Sequence, residues 1–210
     1  MRAKDLALSL LPVQKRFERI FNRNLWGSEE SVSGFGSTLA ATENLRRCLP
    51  ELIDELGIGS IVDVPCGDFN WMRHVLRERP QVDYTGFDIV PALIQRLQKE
   101  FGSDGMRFLH CNVISDPLPR TDLVVNRDFL IHMSYRDAKS VIANVKRSNS
   151  SWLLANTYRN IRENSDIITG RWRFIDLMKP PYGFPQPKLE IEENPRQAKF
   201  IALWRIADLP

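Results

Sequence analysis

The sequence predicts an α/β fold: a doubly wound, mostly parallel seven-stranded sheet with helices on both faces and a C-terminal antiparallel hairpin. Three observations predict it. Short apolar runs rich in β-branched residues alternate with segments whose apolar residues recur every three or four positions, the pattern of βαβ units under a parallel sheet. The first run ends in Asp63, and the next ends in Asp88, 25 residues on, as at the ligand edge of such sheets. The last two runs are separated by about seven residues, too few for a helical crossover, so they pair antiparallel.

Each element has a local reason. From Thr38 to Leu56, Leu45, Leu49, Leu52, Ile53 and Leu56 share one face of an amphipathic helix. Pro50 is expected to kink or split that helix, and Gly57 and Gly59 to end it. Ser60–Val64 is a short buried strand, Phe69–Leu76 a helix, and Val82–Asp88 the second strand. Pro91 suits the first turn of a helix carrying Leu93, Ile94, Leu97 and Phe101 on one face. Met106–Cys111 and Asp122–Asn126 are the third and fourth strands. Ser134 with Asp137 forms a capping box for a helix through Val145, and Ser151–Asn156 is the fifth strand. Lys188–Glu192 and Phe200–Arg205 make the closing hairpin. Two domain-level parts are expected: an arm over residues 1–37, and the sheet domain over residues 38–210.

Composition narrows the function classes. The chain has 210 residues, 43% hydrophobic and 26% charged, which excludes a disordered tail, a collagen-like chain and a disulfide-rich mini-protein. Its 29 basic and 26 acidic residues leave a net charge of +3, with bases interspersed among acids rather than gathered in a stripe. A nucleic-acid partner is therefore not expected. The cysteines, Cys48, Cys66 and Cys111, lack CxxC spacing, which fits a reducing compartment and no zinc site. No run approaches the ~18 apolar residues of a membrane span. The apolar stretch from Leu6 to Leu11 is too short for a leader and has no small-residue cleavage site. The expectation is a cytoplasmic protein.

The segment IVDVPCGDFNWM, residues 61–72, is a strand, a turn and a helix start at the usual ligand position of a doubly wound sheet. A dinucleotide pyrophosphate needs several glycines there so that backbone N–H groups can approach it. Here only Gly67 is glycine, Pro65 lacks an N–H, and Asp68 adds negative charge. S-adenosylmethionine, cationic and without phosphate, suits this turn better. Asp88, ending YTGFDIV, can accept both hydroxyls of a ribose.

In these pieces the sequence resembles the class I S-adenosylmethionine-dependent methyltransferases, which share a Rossmann-like fold. The matching pieces are DVPCGD, YTGFDI, FLHCNV and DLVVNRDFLIHMS, in that order. The resemblance is strongest from Ile61 to Val125. The family's first motif has glycines where Pro65 and Phe69 stand, and often an Asp where Asn112 stands. The resemblance implies S-adenosyl-L-methionine as cofactor. It implies Asp63, Cys66 and Gly67 along the methionine part, with Asp68 or a backbone carbonyl at the ammonium. It implies Asp88 on the ribose, Ile89 on the adenine face, Asn112 and Val113 around the base, and Asn126 and Arg127 near the sulfonium or carboxylate end. Asn112 can still accept from the adenine amino group through its carbonyl oxygen.

Asp128 and His132, four apart, share a face if their segment is helical, so Asp128 could orient His132 as a base for a hydroxyl acceptor. The bland alternatives are a helix cap and a packed histidine. The Gly/Ser-rich stretch 25–45, with Trp26 and Phe35, is expected either to cover the cofactor as a lid or to pack on the sheet. The long loop 156–188, with Arg159, Asn160, Arg171, Trp172 and Tyr182, suits a polar ring-shaped acceptor or serves as packing. The favoured function is methyl transfer to a small-molecule or glycan acceptor, with a hydroxyl as the favoured accepting group. A nicotinamide-dependent oxidoreductase and a non-catalytic cofactor-binding scaffold are the alternatives. No metal is expected, since the spacing of Asp122, Asn126 and Asp128 alone supports none.

Overall fold

A computed structural model describes residues 10–210. The apolar run that starts at Leu6 therefore begins outside the described residues. Seven strands form one sheet in the order β3-β2-β1-β4-β5-β7-β6. β1 (Ser60–Asp63), β2 (Asp83–Asp88), β3 (Met106–His110), β4 (Leu123–Asn126) and β5 (Trp152–Tyr158) run parallel. β7 (Lys199–Arg205) lies antiparallel between β5 and β6 (Leu189–Asn194), so the predicted hairpin forms the edge. The central strands are apolar on both faces: Ile61, Val62, Leu123, Val124 and Val125 are all buried. That continuous burial is what helices on both faces require.

Among the described residues five α-helices serve that sheet: α1 (Val13–Asn22), α2 (Glu43–Leu56), α3 (Met72–Glu78), α4 (Pro91–Phe101) and α5 (Tyr135–Arg147). α2 runs unbroken through Pro50, against the expected kink or split. A proline there costs about 3 kcal/mol. Burial of Leu45, Leu49, Leu52 and Ile53 on the same helix, roughly 1.5–3 kcal/mol per side chain, offsets it. Gly57, at φ +62°, closes α2 in the left-handed conformation. α3 begins at Met72 rather than Phe69, because Phe69 sits at φ +61° and cannot open a helix. Its buried ring is held 5.1 Å from Tyr84, 5.3 Å from Phe101 and 5.0 Å from Phe108, contacts that keep the strained backbone in place. Ser134 caps α5 as predicted, accepting from the Asp137 N–H at 3.2 Å.

The loop after β5 is ordered by the segment before α5. Gly170 N–H donates to the His132 carbonyl at 2.8 Å, and Arg173 N–H to that of Ile131 at 3.1 Å. The Arg173 guanidinium also donates to the Met133 carbonyl at 2.5 Å and to the Tyr182 hydroxyl at 2.7 Å. These bonds bring the loop across the carboxyl ends of β4 and β5. Among the described residues no helix is long and apolar enough to cross a membrane.

Candidate active site

The strand order reverses between β1 and β4, where β2 and β5 lead off in opposite directions. Chains leaving β1 and β4 diverge there and open a crevice. A cavity of about 320 Å³ fills it. Asp63 and Asp88 end β1 and β2, and both face the cavity together with Pro65, Cys66, Gly67 and Ile89. Burial pushes the Asp63 carboxyl up to about 7, against the opposing hydrogen bond from Tyr84 Oη to its Oδ2 at 2.9 Å. Burial likewise raises Asp88 to about 6, opposed by backbone amides that include Val90 N–H, 2.9 Å from Oδ1. Asp88 thus caps the turn into α4 and lines the cavity at once. Burial also raises the Cys66 thiol, so it is no nucleophile here.

The turn after β1 keeps the path a glycine-rich motif would give it. Gly67 is at φ +55°, and a Cβ there would fall 2.3 Å from Ser33 Oγ. Phe69, where the family has glycine, still adopts glycine's left-handed conformation. Asp68 corrects the expectation placed on it. Its carboxylate accepts from Ser31 Oγ at 3.0 Å and Val32 N–H at 2.9 Å, so it faces the arm and not the cavity. Ser33 Oγ accepts the Asp68 N–H at 2.9 Å, and Asn70 Nδ2 donates to Glu30 at 2.8 Å and to the Ser37 carbonyl at 3.0 Å. The arm is therefore stitched to this turn, and its residues 32–37 line the cavity.

Asn112 and Val113 line an adjoining cleft of about 20 Å³, with Phe17 and Phe129 common to it and the main cavity. Pro65, Asp88 and Ile89 border both. Asn126 does not line the cavity; its Nδ2 donates to the Val64 carbonyl at 2.5 Å and ties β4 to β1.

At the end of β4 a buried ionic network replaces the predicted Asp128–His132 pair. Only a single tight turn, Leu130–His132, forms here, and Asp128 precedes it at φ +52°, so no helical face joins the two side chains. Asp128 Oδ2 lies 2.8 Å from Lys199 Nζ and 3.2 Å from Arg127. Glu193 holds the same two cations, Arg127 Nε at 2.7 Å and Lys199 Nζ at 3.1 Å. Asn156 donates to Glu193 at 2.7 Å and accepts the Asp128 N–H at 2.6 Å. Arg127 also reaches the Gly36 carbonyl of the arm at 2.7 Å. Burial alone would raise the Asp128 carboxyl, but Lys199 and Arg127 pull it below the ordinary aspartate range.

His132 still faces the cavity. Its ring stacks on Trp26, centroids 4.9 Å apart, and Nδ1 sits 2.8 Å from the Arg171 carbonyl. A carbonyl only accepts, so Nδ1 carries the proton and Nε2 the lone pair. Burial lowers the imidazole's pKa, which keeps the ring neutral near pH 7. Lys199, Glu193, Gln197 and Tyr158 were missed by sequence reasoning. One signal was present: Lys199 starts a strand whose same-face residues are Ile201 and Leu203, so its charge had to be buried and paired.

Residues 61–150 match the model of a methyltransferase domain family. No curated protein matches the chain. Among solved structures it is similar to human N-acetylserotonin methyltransferase in complex with SAM, at 14% identity and TM-score 0.66, over 93% of this chain and 60% of that one. It is also similar to the Burkholderia thailandensis 1,6-didemethyltoxoflavin-N1-methyltransferase with bound 1,6-didemethyltoxoflavin and S-adenosylhomocysteine, at 15% identity and TM-score 0.62, over 98% and 90%. A third is the Streptomyces davawensis N,N-8-amino-8-demethyl-D-riboflavin dimethyltransferase, at 13% identity and TM-score 0.56, over 78% and 54%. The chain thus spans about 60% of the human enzyme's length, and at these identities the likeness is one of fold. The family match thus spans the first four strands of a sheet of this order, and the solved structures it resembles share that fold.

Proposed function

We propose that the chain transfers a methyl group from S-adenosylmethionine to a hydroxyl of a small-molecule acceptor. The observation that carries this reading is the neutral His132, its Nε2 lone pair uncommitted, on the cavity that also holds the buried carboxylates Asp63 and Asp88. The residues fit the cofactor: two strand-end carboxylates on the cavity suit an ammonium and a ribose, and Gly67 lines it beside them with bare backbone. Asp88 would hold the ribose hydroxyls, Ile89 the adenine face, and Asp63, Cys66 and Gly67 the methionine part. The bound cofactor supplies an electrophilic methyl on a cationic sulfur.

When bound, it would supply that methyl to the acceptor oxygen, and His132 Nε2 would take the hydroxyl proton. Asp128 does not touch His132 as a dyad partner would; its negative charge on the same wall favours the imidazolium that forms. Much of the rate then comes from holding oxygen and methyl in line. The arm, fastened to Asp68, Asn70 and Arg127, serves as a lid that excludes water.

Calorimetric titration with S-adenosylhomocysteine, and with NAD(H) in parallel, tests this. Micromolar binding of the first, weakened at least roughly tenfold by Asp88→Ala, supports the reading. Binding of NAD(H) in its place overturns it.

A further inference from the structure

Beyond the cofactor end, the cavity is walled by rings from three separate segments: Trp26 and Phe35 of the arm, Tyr158 at the end of β5, and Trp172 of the following loop. Phe35 is 68% exposed and Trp172 51% exposed, both at the cavity. Such large apolar rings beside an open cleft mark a place where a ligand removes them from water.

The charged side chains below these rings are committed to one another. Arg127 and Lys199 each touch both Asp128 and Glu193, two cations against two anions, and the cluster is neutral. An anionic acceptor would find no unpaired cation in that cluster. A sugar is equally poorly served, because each of its several hydroxyls needs a partner once buried. Asn156, beside the network, already donates to its Glu193. Among the described residues the polar groups on this wall without a hydrogen-bond partner in the protein include His132 Nε2, the Tyr158 hydroxyl, the Gln197 amide and the buried Asp128 Oδ1. Burial holds Tyr158 protonated, so its hydroxyl can donate.

We propose that this half of the cavity takes a planar, uncharged phenol or hydroxylated heteroaromatic compound, gripped between rings, with its reacting hydroxyl at His132 and one further polar substituent within reach of Tyr158. The inference rests on the methyltransferase reading and narrows its acceptor from small molecules in general to this class, setting the glycan aside.

The test is calorimetry on the full chain saturated with S-adenosylhomocysteine, using three probes: 2-naphthol, 6-hydroxy-2-naphthoic acid and methyl β-glucoside. 2-Naphthol is expected to bind, the carboxylate at least roughly tenfold more weakly, and the glucoside weaker still. Trp172→Ala, at an exposed position that leaves the core intact, is expected to weaken 2-naphthol roughly tenfold while S-adenosylhomocysteine affinity holds. Tighter binding of the carboxylate or the glucoside, or an unchanged Trp172→Ala variant, overturns the aromatic-acceptor proposal alone. Failure of S-adenosylhomocysteine to bind overturns the methyltransferase reading and this proposal with it.

Discussion

Tyr84→Phe is the sharpest probe of the cofactor end. The substitution removes one hydroxyl, whose hydrogen bond to Asp63 Oδ2 spans 2.9 Å inside the core. That bond favours the ionised carboxylate, while burial has already pushed Asp63 up to about 7. A hydrogen bond to a charged group is worth about 1.5–3 kcal/mol, and 1.36 kcal/mol is one pKa unit, so the variant places Asp63 at about 8 to 9. At pH 7.5 the ionised fraction then falls from about three quarters to between about a quarter and 3%. If the cofactor's ammonium is bound by ionised Asp63, S-adenosylhomocysteine binds about 3- to 25-fold more weakly to the variant at that pH. The gap narrows as pH rises to 8.5 and the variant's carboxyl also ionises. Titration of the ligand's own amine is common to both proteins and cancels in the ratio. Calorimetry at half-unit steps from pH 6.5 to 8.5, with thermal unfolding as a folding control, measures this. Parallel curves for the two proteins refute the reasoning, because they put Asp63 outside the cofactor's field.

The same residue sets a stability prediction. Its folded pKa lies above the unfolded value of about 3.9, so folding takes up a proton between about pH 4 and 7 and stability falls as pH rises through that window. Asp63→Asn is therefore expected to raise the unfolding midpoint at pH 8 and leave it nearly unchanged at pH 4, read by calorimetric melting. Lys199→Met leaves Asp128 and Glu193 short of a cation and should cost about 3–5 kcal/mol, a Tm loss of roughly 6–20 °C in a melt. His132→Gln should lower kcat by about 10²–10⁴ in a methyl-transfer assay while S-adenosylhomocysteine affinity stays within about twofold. Asp68→Ala unfastens the arm at Ser31 and Val32 and should speed S-adenosylhomocysteine release in stopped-flow, with melting little changed.

Much of this architecture could be read from residue order. Alternation of apolar runs with helical periodicity marks β1 to β5 because burial on both faces leaves few ways to write a parallel strand. Ser134 and Asp137 announced α5 through a hydrogen bond that spans three residues. Local rules misplaced what tertiary contacts decide. Pro50 stays inside α2 because the helix face around it is buried, and Phe69 delays α3 because three rings hold its side chain. The site divides along the same line. Asp63 and Asp88 end strands and Gly67 sits in the turn after the first, positions that are legible. Asp68 lies one step beyond Gly67, and its partners come from the arm, which no spacing in its own segment could reveal. The pairing of Asp128 with Lys199 joins residues 71 apart in sequence, so a four-residue helical spacing was the wrong ruler.

The hairpin's place in the sheet bears on how the protein is made. β7 wedges between β5 and β6, and Glu193 and Lys199 ride on that hairpin into the charge cluster. Synthesis delivers Arg127 and Asp128 some seventy residues earlier. A nascent chain that has emerged only through β5 can already align Asp63 and Asp88 on β1 and β2. Its Arg127 and Asp128 then have each other but neither Glu193 nor Lys199, an arrangement that stays wet and open until the hairpin docks. The crevice between β1 and β4 is thus built from strands made before the hairpin, and the hairpin completes the charge cluster beside it.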